Sequence, residues 1–175
     1  IVSIVAGDRA NVSGLMGENV DPHMYKPTRN DQKTLLGADV VFYSGLMLEG
    51  RMGDTFIGVA RTGKPVYAVT ERIGESYLRQ PPEFEGHWDP HVWMDITAWS
   101  QCVDVVAEAL SDYDTSDADG YKQRAADYQV QLREMDEYIR KTIATIPEDR
   151  RWLITAHDAF GYFSRAYKIP VKSAQ

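Results

Sequence analysis

The stretch from Ser116 to Ile146 limits most tightly what this chain can fold into. After Gly120 it holds neither glycine nor proline until Pro147, and apolar or aromatic residues recur at Tyr121, Ala125, Tyr128, Leu132, Met135, Ile139 and Ile143. Steps of three and four residues place them on one face of an α-helix, with charged residues on the other faces. At 1.5 Å per residue such a helix is a rod of about 40 Å. A crossover helix in an α/β sheet need not be so long, and the stripe is short for a coiled-coil arm. The segment reads as a bridge between two lobes: residues 1–115 form most of the first lobe, 116–147 the bridge, and 148–175 the start of the second.

On either side of the bridge, short apolar runs bounded by turn residues alternate with amphipathic segments, the pattern of an α/β protein with mainly parallel sheets. The expected strands are Asn11–Leu15, Val40–Tyr43, Pro65–Val69 and Trp152–Ala156, the last of them buried. Thr28, with Asp31 three residues later, should cap a short helix through Leu36, ended by Gly37. A second helix is expected over Leu48–Ala60, weakened by Gly50, Gly53 and Gly58. Asp95 should cap a third, with Ile96, Trp99, Val103, Val106 and Leu110 on its apolar face and Cys102 as a small buried residue. The opening Ile1–Gly7 reads as the last turns of a helix closed by Gly7. The segment from Glu71 to Gly86, with Pro81, Pro82 and Gly74, reads as an exposed loop. The abrupt opening and the second lobe's early stop are those of a fragment of a longer protein.

A chain of 175 residues with 43% apolar residues can bury roughly 70% of its unfolded surface, enough for a core without disulfides. Acidic residues outnumber basic ones, 26 to 19, and no Lys/Arg cluster is present, which argues against a nucleic-acid partner. Cys102 is the single cysteine, so there is no disulfide framework and no thiolate zinc site. No apolar run is long enough to span a bilayer.

The chemistry concentrates on histidines. Asp21-Pro22-His23-Met24-Tyr25 and Asp89-Pro90-His91-Val92-Trp93 share the pattern Asp-Pro-His-x-aromatic. Proline fixes its own φ and biases the aspartate before it toward extended backbone, so each histidine sits on a stiffened turn. His157 follows the strand ending at Ala156 and precedes Asp158, which is placed to cap a helix carrying Phe160, Phe163 and Tyr167. Ligands of α/β sheets gather at such strand ends. Three imidazoles and a carboxylate suit a divalent transition metal, and Asp21, Asp89 or Asp158 could hold the second ring nitrogen of a ligand. His87 lies four residues before His91, but Pro90 removes the helix that would give that spacing meaning, so His87 is set aside. His-Glu-x-x-His, Gly-x-Ser-x-Gly and glycine-rich phosphate loops are absent.

Four blocks carry a resemblance: Gly17–Tyr25, Asp39–Glu49, Asp89–Asp95 and Thr155–Phe163. In their residues and order they resemble the zinc- and manganese-specific substrate-binding proteins of bacterial ABC transporters, the TroA-like family. The resemblance implies two Rossmann-like α/β lobes joined by one long rigid helix, most of the second lobe lying outside this chain. It implies a metal in the cleft, bound by His23, His91 and His157 and by a carboxylate beyond residue 175. It also implies a non-enzymatic protein, monomeric at full length, that works in the periplasm or on the outer face of the cytoplasmic membrane, free or lipid-anchored. There it would hand Zn²⁺ or Mn²⁺ to a membrane permease. Manganese-selective members typically carry Glu at the third position, and His157 there tilts the expectation toward zinc. The competing readings are a zinc hydrolase using the same three histidines and a surface adhesin of the same fold.

Overall fold

The computed structural model describes residues 1–173. Its helices are α1 (Val2–Ala6), α2 (Arg29–Gly37), α3 (Gly53–Ala60), α4 (Ile96–Tyr113), α5 (Ala118–Ala144) and α6 (Gly161–Tyr167). Its strands are β1 (Val41–Tyr43), β2 (Val66–Ala68), β3 (Leu153–Thr155) and β4 (Val171–Ser173). Strand β1 pairs with β2 in parallel, Val41 opposite Val66, and β3 pairs with β4 in parallel, Leu153 opposite Val171. The fold is α/β with parallel sheets.

Helix α5 runs for 27 residues, but its apolar stripe serves two packing patches. Tyr121, Ala125 and Leu132 are buried with Val103, Val106 and Leu110 of α4 and Val5 and Ala6 of α1. Ile143 is buried separately with Tyr167 and Ile169, beyond a stretch in which Met135 is 50% exposed. The first patch is the larger core; each fully buried valine there, Val103 and Val106 among them, contributes roughly 1.5–3 kcal/mol. Helix α1 closes at Gly7 with φ 60°, as its sequence indicates, and Arg124 of α5 donates to the Val5 carbonyl at 2.7 Å.

Several sequence expectations need correction. Asn11–Leu15 is no strand: its residues are irregular and mostly exposed, and among the described residues no backbone hydrogen bond reaches them. An extended segment without a neighbour leaves its amides to water. The helix expected from Leu48 starts at Gly53, after a 3₁₀ turn over Gly50–Met52. The loop before that turn holds Leu46 and Met47 at positive φ. The Glu49 carboxylate fixes that loop by accepting the amides of Ser44 at 2.8 Å and Gly45 at 3.3 Å; burial pushes its pKa up. Gly45 is obligatory there, with φ +93° and Thr70 Oγ1 2.6 Å from where a Cβ would sit. Strand β3 is less buried than its composition suggests, since Ile154 is 72% exposed. The Glu71–Gly86 segment is irregular but not wholly exposed, because Ile73 is buried and Tyr77 and Leu78 pack on the larger core.

Candidate metal centre

Each Asp-Pro-His turn is built the same way at the backbone. Asp21 Oδ1 accepts the His23 amide at 2.9 Å, and Asp89 Oδ1 accepts the His91 amide at 3.0 Å. The carboxylate folds over its own chain two residues on, so the histidine backbone is set locally. Each turn is anchored by the residues on its C-terminal side. Tyr25 donates its hydroxyl to Asp31 Oδ2 at 2.8 Å, and the same carboxylate forms the capping box with Thr28 that starts α2. After His91, Asp95 caps α4 by accepting the Thr97 amide at 3.0 Å. Its other oxygen takes the Tyr77 hydroxyl at 2.6 Å, and burial together with this bond pushes the phenol pKa up to about 12. His157 stands two residues past the end of β3.

These three segments, far apart in sequence, bring three ring nitrogens to one point. His91 Nε2 lies 3.1 Å from His23 Nε2 and 3.1 Å from His157 Nε2. Each of the three residues offers a nitrogen within 4.8 Å of the other two. Two nitrogens at a zinc–nitrogen bond length of about 2.0–2.1 Å and a tetrahedral angle stand about 3.3 Å apart, close to the spacing here. The Asp89 carboxylate can only accept, so the 2.8 Å contact from His91 Nδ1 to its Oδ1 fixes the proton on Nδ1 and leaves the Nε2 lone pair facing the cluster. His91 is buried at 1% exposure, against Trp93 with ring centres 5.2 Å apart. His23 is half-buried and His157 exposed. Burial and the neighbouring His91 lower the His23 pKa, favouring the neutral imidazole that a metal requires.

A model of the family described as "Zinc-uptake complex component A periplasmic" matches residues 1–175. The chain belongs to this family. Among curated relatives, the zinc-binding protein TroA of Treponema pallidum is 43% identical over 175 residues, 100% of this chain and 56% of its own length. The manganese-binding lipoprotein MntA of Bacillus subtilis is 42% identical over 172 residues, 98% of this chain and 55% of its own. The solved periplasmic zinc-binding protein TroA from Treponema pallidum superposes with a TM-score of 0.93 at 42% identity, covering 98% of this chain and 61% of that one. The chain thus spans about half the length of the curated relatives it matches.

In this member of the zinc-uptake component A family, the sequence-derived site residues do not all take the expected roles. His23, His91 and His157 meet, and Asp89 holds the His91 ring. Asp21 bonds the His23 backbone rather than its ring. Asp158 makes no hydrogen bond to His157 among the described residues, and it does not cap α6, whose N-cap is Phe160 without a side-chain bond. His87 stays outside the cluster among the described residues. Cys102 is fully buried, and burial pushes its thiol up to about 12, so it remains an apolar filler. Sequence reasoning missed strand β4 and the aromatic wall that Trp93 and Phe84 place against His91. It also missed Arg79, which donates to Asp89 Oδ2 at 2.8 Å. The one available signal was indirect: a buried aspartate calls for a cation, and the Glu71–Gly86 segment supplies only Arg72 and Arg79.

Proposed function

We propose that His23, His91 and His157 bind a divalent transition metal and that the chain is part of a non-enzymatic substrate-binding protein of an ABC uptake system. The observation that carries this reading is the convergence of three Nε2 atoms at the spacing of a tetrahedral metal shell. A completed site takes its fourth ligand, a carboxylate, from a part of the protein beyond this chain.

Three imidazoles form a borderline-soft donor set that favours Zn²⁺ over the harder Mn²⁺, with Mn²⁺ accepted more weakly. TroA is named for zinc and MntA for manganese at nearly equal identity, so the donor set rather than the relatives carries the preference. In this reading residues 1–115 are the N-terminal Rossmann-like lobe, 116–147 the rigid bridge and 148–175 the beginning of the C-terminal lobe. His23 and His91 belong to the first lobe and His157 to the second, so moving the lobes apart withdraws one ligand from the other two. The metal is cargo, captured in the periplasm or at the outer face of the cytoplasmic membrane and passed to a membrane permease. The protein works as a monomer, free or lipid-anchored. The adhesin and hydrolase readings have no observation in their favour.

Calorimetric titration with zinc tests the site. The parent should bind one equivalent, and His23→Ala, His91→Ala and His157→Ala should each bind at least about 10-fold more weakly. Three variants that bind like the parent would refute the site.

A further inference from the structure

We propose that Arg79 is a positioning residue for the metal ligand His91, acting through Asp89, and that the first turn of α6 is its seat. The inference rests on the metal-capture reading and adds a residue and a coupling to it. Asp89 is 1% exposed and its carboxylate is shared: Oδ1 takes the His91 amide and ring Nδ1, and Oδ2 takes the Arg79 guanidinium. A buried carboxylate needs a compensating cation, and the His91 amide and ring hold only its Oδ1. Arg79 supplies the charge and fixes which way the carboxylate faces.

Arg79 is in turn held by α6. A Cβ built on Gly161 would coincide with the Arg79 guanidinium, so only glycine leaves room for it. The guanidinium also lies 5.7 Å from the Tyr162 ring centre. Tyr162 is fully buried; its hydroxyl accepts the Arg79 amide at 3.1 Å and donates to the Asp89 carbonyl at 2.9 Å. The Asp89 amide closes the ring by donating to the Arg79 carbonyl at 2.8 Å. Arg165, one turn further along α6, donates to the Tyr77 carbonyl at 2.7 Å. The helix that comes after His157 in the chain is therefore the helix that seats Arg79. A displacement of α6 takes away one ligand and loosens the orientation of another in the same movement.

Two variants separate this from general stabilisation. Arg79→Met keeps an apolar stem against Gly161 and Tyr162 but removes the hold on Asp89. Gly161→Ala keeps Arg79 and its charge but evicts the guanidinium. Long-range proton–nitrogen NMR of the histidine rings at alkaline pH reads the His91 tautomer without any metal. The parent should show the Nδ1–H form, and both variants a mixture of the two forms. In zinc competition against a chelator, both should bind roughly 10- to 100-fold more weakly. Arg79→Lys should recover part of the loss, and the double variant should be little worse than Arg79→Met alone because both act through one contact. A His91 ring left in the Nδ1–H form in both variants would overturn the proposal. Mixed tautomers in the variants beside a parent that ignores zinc would uphold the positioning role and overturn the metal reading alone.

Discussion

The two Asp-Pro-His turns are nearly the same sequence in two environments. In both, the aspartate folds back onto the histidine amide at about the same distance, 2.9 Å for His23 and 3.0 Å for His91. There the likeness stops. Asp21 is exposed and its carboxylate leaves the His23 ring alone, whereas Asp89 is buried, grips the His91 ring and is itself gripped by Arg79. The tripeptide sets the backbone; burial and a second partner set the ring. One turn leaves its imidazole without a carboxylate partner among the described residues, and the other holds its imidazole in direction and tautomer.

The largest difference should appear in stability. Asp89→Ala strands a half-buried guanidinium and a buried ring nitrogen, and should cost about 3 kcal/mol in urea unfolding. Asp21→Ala gives up one exposed hydrogen bond to a backbone amide and should cost less than about 1 kcal/mol. Equal costs would break the comparison.

A smaller effect lies in pH dependence. The folded-state pKa of His23 is depressed, by burial first and by His91 next, below the unfolded value of about 6.5. Between the two values the unfolded chain holds the extra proton, so stability falls as pH drops through that window. Unfolding measured at several pH values below about 6.5 should show a shallower decline in His23→Gln than in the parent. An identical decline would remove His23 from the account.

The smallest effect concerns the prolines. Pro90 is buried beside His91 and Pro22 is half-buried. Pro22→Ala should cost within about 1 kcal/mol, through the entropy of the unfolded chain, with zinc affinity in competition assays changed less than about twofold. A larger loss at Pro22 would mean that the exposed turn is held as rigidly as the buried one.

Much of the fold and all three of the histidines that meet are legible in the chain because their signals are local. Spacing of Tyr121, Ala125 and Leu132 announces α5; Thr28 with Asp31, and Asp95 before Ile96, announce two caps; the repeated Asp-Pro-His announces His23 and His91, and the end of the apolar run Trp152–Ala156 announces His157. The hidden features depend on partners distant in sequence. Asn11–Leu15 has the composition of a strand but finds no neighbour to pair with. Met135 keeps the helical spacing yet falls between the two patches that α5 packs against. Arg79 is an ordinary loop cation until folding places Asp89, Gly161 and Tyr162 around it.

The central claim is that His23, His91 and His157 together hold one metal ion. X-ray absorption at the zinc edge of the protein loaded with one equivalent tests it most directly. The account predicts a shell of nitrogen and oxygen neighbours at about 2.0–2.1 Å with outer-shell scattering from three imidazole rings, reduced to two rings in His157→Ala. A parent spectrum with one imidazole or none, or one that His157→Ala leaves unaltered, would contradict it.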